Sequence, residues 1–194
     1  MKKIVSYSYI PLKILEQNLK SDAKNKNGEV IQINMDGAIG KELVPGKLKN
    51  IFTHDLCGCS SSFILARCKN GNPFAIMTHF PPDYASVHRQ EISRLLRQNE
   101  RFIDTSKAVT FLFLAPEQSI NKISTNTYDS GDDKLFNEIH KTLSNFFKDK
   151  INVKPLFYNS KGDSRVFIVN LPSQKGEKIT YKAVGNNRGT VGIM

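Results

Sequence analysis

Several classes of protein are removed by what this sequence has little of. It contains no tryptophan and only 3 cysteines in 194 residues. The odd count at Cys57, Cys59 and Cys68 makes no disulfide framework, and Cys57 and Cys59 stand too close to staple much. A chain of this length can also build its own core. A reducing working compartment is therefore expected. No apolar run approaches the ~20 residues that a membrane helix needs. No glycine-rich turn follows a strand pattern and opens a helix, which removes the dinucleotide fingerprint and the phosphate loop. No internal repeat is present. His54, Cys57, Cys59, Cys68 and His79 would suffice in number for zinc. However, Cys-x-Cys is tighter than the usual pair of a structural site, and Cys68 has no close partner. The opening residues 1–11 carry lysines and a few apolar side chains. That stretch holds Ser6 and Ser8, ends at Pro11 and precedes no small-residue cleavage site, so no ordinary signal peptide is expected.

Acidic residues are also scarce, 18 against 28 lysines and arginines, giving a net charge of +10 and a sequence pI of about 9.5. That balance suits an acidic partner surface, whether protein, nucleic acid or membrane face, and equally suits plain solubility. What is present is enough for a core: 39% hydrophobic residues, with 12 Phe and 6 Tyr. One soluble domain over residues 1–194 is expected.

Periodicity places the elements. Residues 4–10 predict a strand, and Pro11 with Leu12, Leu15 and Leu19 a short helix. Residues 28–35 predict a strand. Residues 36–49, with Gly37, Gly40, Pro45 and Gly46, predict a loop. Residues 60–68 and 73–80 predict a hairpin of buried strands around Asn70-Gly71, a pair that suits a type I′ turn. Residues 83–103 predict a helix capped by Asp83, and 134–148 a second helix. Residues 107–115 predict a buried strand. Residues 152–158 and 165–171 predict a second hairpin, and 178–184 one more strand. Residues 185–194 carry no assignment. The sum is an α/β sandwich, with a mainly antiparallel or mixed sheet and two principal helices.

The chemistry concentrates in Thr53-His54-Asp55-Leu56-Cys57-Gly58-Cys59 and in His79. Hydrolysis of a carboxamide needs a nucleophile, a proton shuttle and donors for the developing oxyanion. Cys59 offers a thiolate, His79 an imidazole, and Gly58 a sharp turn close to substrate. The backbone around Gly58, Cys59 and Ser60 supplies candidate oxyanion donors. A type I′ turn at Asn70-Gly71 sets His79 opposite Ser62. Cys59 is then ~10 Å along the strand and on the wrong face, and the pair meets only if the chain bends at Gly58. Thiol and ring must also face each other across a solvent-reachable notch. His54 and Asp55 form a competing orienting pair. His88 and His140 fall in helices and are expected to be structural, and Cys68 to be core. Cys57 is an inert neighbour or a redox brake on Cys59.

The stretch Phe52-Thr53-x-x-Leu56-x-Gly58-Cys59, followed by a strand, a turn and His79, resembles the Leu-Ser-Gly-Cys cysteine deamidases. That family includes the Burkholderia lethal factor, the cytotoxic necrotizing factor catalytic domain and the bacterial chemoreceptor deamidase. The family motif stands here as Leu56-Cys57-Gly58-Cys59, with cysteine in the serine position. Thr53 lies six positions before Cys59, where two family members carry a threonine. The resemblance spans about residues 51–80. It implies an α/β sandwich and conversion of a target-protein glutamine to glutamate. Cys59 would be the nucleophile, His79 the base and Thr53 the group that fixes the imidazole. It further implies no metal or organic cofactor. The target would be a host protein, met in the host cytoplasm after secretion or injection by a non-classical route; the other setting is the bacterial cytoplasm. A monomer with no membrane partner is expected, and nucleic acid is not favoured. Two alternatives use the same residues differently. One is a basic binding module with buried cysteines, and the other a cysteine peptidase or transglutaminase.

Overall fold

The computed structural model describes residues 4–5, 29–44, 46–56, 58–81, 84–116, 131–158, 166–171, 178–185 and 188–193. Their first half holds β1 (Ile4–Val5), β2 (Glu29–Ile33), β3 (Gly37–Glu42), β4 (Leu48–Thr53), β5 (Ser60–Arg67), β6 (Pro73–Phe80) and α1 (Ala85–Asn99). The second half holds β7 (Val109–Pro116), α2 (Gly131–Phe147), β8 (Ile151–Tyr158), β9 (Val166–Asn170), β10 (Thr180–Gly185) and β11 (Arg188–Ile193). The strands form two mixed sheets. One has six strands in the order β1-β11-β10-β9-β4-β2; the other has five in the order β3-β6-β5-β7-β8. Among the described residues only β2–β4 and β7–β8 pair in parallel.

The five-stranded sheet is covered on both faces. Phe63, Ala75, Met77, Leu112 and Leu114 meet Ile51, Phe167, Val169 and Tyr181 of the six-stranded sheet in one core. The alternate residues Ile64, Ile76, Phe111 and Phe113 pack on Ile92 and Leu96 of α1 and on Leu135, Ile139, Leu143 and Phe147 of α2. The layers thus run sheet, sheet, helices, in agreement with the expected sandwich and its two principal helices. Double coverage explains why residues 63–66 and 111–115 read as unbroken apolar runs rather than alternating ones. Each fully buried Phe or Leu side chain contributes about 1.5–3 kcal/mol of transfer free energy.

The central hairpin differs from expectation by one residue. The Cys68 N–H donates to the Asn72 carbonyl at 2.7 Å and the Gly71 N–H to the Cys68 carbonyl at 2.9 Å. The loop is therefore Lys69-Asn70-Gly71, with only Gly71 at positive φ, +88°. This three-residue turn with a left-handed glycine replaces the two-residue type I′ form. Glu42 of β3 helps to hold it, accepting the side-chain amides of Asn70 and Asn72 at 2.8 and 2.6 Å. The extra residue moves the register, so that His79 pairs with Ser61, not Ser62.

Other expectations need correction. The stretch 36–49 is no simple loop: it contains β3 and the start of β4. Gly40 permits this strand, because an added Cβ would lie 3.3 Å from both Leu95 and Phe74. The strands β8 and β9 are not hairpin partners. β8 lies beside β7 in one sheet, and β9 between β4 and β10 in the other. Pro155 fits β8 because that strand is the sheet's edge. The final stretch forms β11 against β10. The proposed Asp83 cap, the helix after Pro11 and the turn at 159–163 lie outside the described residues.

The strand directions bring many chain ends to one edge. The ends of β2, β4, β6, β7 and β8 and the starts of β3, β5 and β9 all meet there, as the pairings Ile33↔Thr53, Gly37↔His79, Ser60↔Phe80 and Pro116↔Tyr158 require. Thr53, Gly58, Cys59 and His79 all belong to that edge.

Candidate active site

Thr53 closes β4 and is fully buried. Its hydroxyl oxygen lies 2.7 Å from the Ile33 carbonyl oxygen and 2.7 Å from Nδ1 of His79. A carbonyl can only accept, so the single hydroxyl proton goes to Ile33. The Thr53 oxygen then accepts from Nδ1–H of His79. This leaves Nε2 of the imidazole with a lone pair, the form a general base requires. The bond also crosses between layers, since Thr53 belongs to the six-stranded sheet and His79 to the five-stranded one.

His79 is only 1% exposed, and its Nε2 makes no hydrogen bond. Burial holds the imidazole down at about 4. Neighbouring His54 adds to the effect, while Asp55 and Asp36 oppose it. The ring is neutral at neutral pH. A buried ring nitrogen without a partner costs about 1–3 kcal/mol, so this atom is strained in favour of any donor that reaches it.

Cys59 is half-buried immediately before β5, and its sulfur lies 3.9 Å from Sδ of Met35, itself 58% exposed. The corrected register matters here. Cys59 lies two residues before Ser61, the partner of His79, so strand alternation puts the thiol and the imidazole on the same face. The bend expected at Gly58 is not needed to change faces. Gly58 does adopt φ +94°, with nothing within 4 Å of an added Cβ, so the constraint there is backbone conformation rather than space. Thiol and imidazole are not hydrogen-bonded to each other. Among the described residues the expected notch open to both groups is not formed: Cys59 is half-buried and the His79 ring is buried.

Tyr158, which sequence reasoning missed, ends β8 beside this turn. Its hydroxyl accepts the Gly58 N–H at 3.0 Å and donates to the Cys59 carbonyl at 2.6 Å. The Gly58 amide is thereby committed and cannot serve as the oxyanion donor considered for it. Ser60 is buried opposite Phe80, on the sheet face turned away from His79. Only its main chain can address the site.

The other candidates separate from this cluster. Gln32 Nε2 donates to Nε2 of His54 at 2.7 Å, and Nδ1 of His54 donates to Asp55 at 2.6 Å. His54 stacks on Phe52, whose ring belongs to the outer face of the six-stranded sheet. The His54–Asp55 pair therefore forms, near enough for its charges to act on His79 but with no hydrogen bond to that ring. Cys68 is buried in the core against the helices, and burial pushes its thiol up. His88 is buried against Phe80 and held down to about 3, first by burial and then by His79. His140 stacks on Phe136. Cys57 lies outside the described residues. Among the described residues no group of three or more His, Cys, Asp or Glu could hold a metal ion. Among them, too, no helix is long and apolar enough to cross a membrane.

A groove of about 690 Å³ lies elsewhere, between α1 and α2, with Arg89, Arg94 and Arg97 on its walls. Glu138 pairs with Arg89 at 3.2 Å and Glu91 with Arg94 at 2.7 Å. Much of its positive charge is thus answered within the protein.

Comparison with known proteins finds no family model that matches this chain and no match among curated proteins.

Proposed function

We propose that the protein is a cysteine-dependent glutamine deamidase that acts on a target protein. The observation that carries this proposal is the Thr53–His79 bond. With the hydroxyl proton spent on Ile33, the imidazole is held as the Nδ1–H form with an unpartnered Nε2 lone pair, on the strand face that Cys59 shares. In the reaction Cys59 Sγ attacks the glutamine Cδ, and Nε2 takes the thiol proton. Nε2 then gives that proton to the departing ammonia, leaving a thioester. Water hydrolyses the thioester to glutamate and restores the thiol. A positioned base of this kind contributes ~10²–10⁴-fold. Because the ring is neutral at neutral pH, the pair works as thiol and base, not as a resting thiolate–imidazolium ion pair. The thiol closes on Nε2 as substrate binds, a tightening common in such sites.

The resemblance at Leu56–Cys59 extends the proposal to an effector or toxin working on a host protein. A basic docking module is less favoured, since the arginine groove is partly neutralised by Glu91 and Glu138. A peptidase or transglutaminase would use the same pair and is separated by product. The test is mass spectrometry of a host-cell extract treated with the protein. Conversion of a glutamine to glutamate, lost in Cys59→Ser, is the expected result. Conversion that persists in Cys59→Ser removes the nucleophile assignment; chain cleavage or amine adducts replace the reaction type.

A further inference from the structure

We infer that Tyr158 is a positioning residue for the Cys59 thiol, acting through the backbone of the Gly58–Cys59 turn; its catalytic consequence rests on the proposed deamidase activity. A phenol has one proton. Here it goes to the Cys59 carbonyl, while the oxygen accepts the Gly58 N–H, so the polarity of both bonds is fixed. The two bonded groups flank the φ and ψ angles of Gly58 and Cys59. One oxygen atom therefore closes a small ring over all four torsions. This fixes the Cα–Cβ direction of Cys59 and leaves χ1 as the single torsion between the clamp and the sulfur.

The clamp itself cannot wander. Tyr158 is 6% exposed, packs in the core between the sheets, and ends a strand whose ladder to β7 continues to Pro116↔Tyr158. The turn it holds needs that help. Gly58 stands at φ +94°, and among the described residues nothing lies within 4 Å of where its Cβ would be, so no packing on that side holds it. From the held position, χ1 alone sets where the sulfur stands on that face, now 3.9 Å from Met35 Sδ. Without the hydroxyl, the turn samples conformations in which the Cα–Cβ direction of Cys59 is no longer held on the face shared with His79.

The test is Tyr158→Phe, which keeps the ring in the core, beside the control Tyr181→Phe, which removes a hydroxyl from the same core. Three readouts are taken on the full chain: amide exchange of Gly58 by NMR, the pH profile of Cys59 alkylation by iodoacetamide, and deamidation kinetics. In Tyr158→Phe, Gly58 exchange should rise by about fivefold or more, the free-energy equivalent of one net hydrogen bond. The alkylation profile should shift. kcat should fall by about tenfold with KM changed by less than about twofold, the pattern of a lost transition-state arrangement. Tyr181→Phe should leave all three unchanged. Unchanged Gly58 exchange and an unchanged alkylation profile in Tyr158→Phe would overturn the clamp. Equal losses in both variants, tracking the folded fraction, would do so too. If the wild type deamidates nothing while exchange and alkylation still respond, the clamp stands and the deamidase proposal fails.

Discussion

Thr53→Val tests the site at its most constrained atom. Valine keeps nearly the same shape and removes only the hydroxyl. Two buried groups then lose their partner, the Ile33 carbonyl and the Nδ1–H of His79, each of which sat at 2.7 Å. Leaving a buried polar group unsatisfied costs about 1–3 kcal/mol, so the variant should lose roughly 2–5 kcal/mol. For a protein of this size that is a fall of roughly 5–20 °C in Tm. The second effect is chemical. With no acceptor at Nδ1, the preference for the Nδ1–H form disappears and Nε2 is no longer reserved as the base. Deamidation should fall by up to ~10²–10⁴-fold, the range for a lost general base. Calorimetry gives the first number. Nitrogen-detected NMR of the His79 ring gives the second, because the two tautomers exchange their nitrogen shifts. Thr53→Ser is the companion: it keeps the hydroxyl, should retain the Nδ1–H form, and should cost only about 1 kcal/mol for the lost methyl. A Thr53→Val protein with unchanged Tm and an unchanged tautomer would refute the assignment of that hydrogen bond.

Further outcomes follow from the same geometry. His79 titrates near 4 in the fold against an ordinary 6.5. The unfolded chain therefore binds a proton first as pH falls. The contribution of His79 is fully present above about 6.5 and is lost by about 4, ~3 kcal/mol in all, and His88 acts in the same direction, so denaturant midpoints should decline over that window. The acid limb of kcat/KM for deamidation should have its midpoint near 4, if His79 is the base. Gly58→Ala places a side chain at φ +94° in open space, so it should cost about 1–2 kcal/mol in urea unfolding and slow Cys59 alkylation. Cys68→Ala should lower stability by about 1 kcal/mol or more while leaving deamidation intact, whereas Cys59→Ala should abolish activity with a Tm within a few degrees of wild type.

How far the fold was legible depended on the kind of signal. The runs at 63–66 and 111–115 are apolar on both faces, and the periodic stripes of α1 and α2 are local, so these elements could be read from their own residues. The β3 strand could not. Its Gly37 and Gly40 look like turn formers, and only the close approach of Leu95 and Phe74 to Gly40 reveals why a glycine suits that strand. Sheet membership was hidden for a different reason. Nothing between β8 and β9 announces that the chain leaves one sheet for the other. The hairpin register turned on one loop residue, selected in part by Glu42, which arrives from a strand the sequence did not announce. At the site, Cys59, His79 and Thr53 were marked by residue type and order. Tyr158 is about 100 positions away from the turn it holds and carries no motif. A long-range hydrogen bond of that sort leaves no trace in spacing.

The hydrogen bond from His79 to Thr53 has its two ends in different layers of the molecule. The direction of the ring thus becomes a gauge of how closely the two sheets are docked. Truncating a large side chain in the shared interior, such as Met77 or Phe167, would detune the base from a distance, with no atom of the thiol turn touched. Warming would do the same, and turnover should fade below the melting transition as the layers begin to part. A newly made chain would stay chemically silent until both sheets had closed on each other.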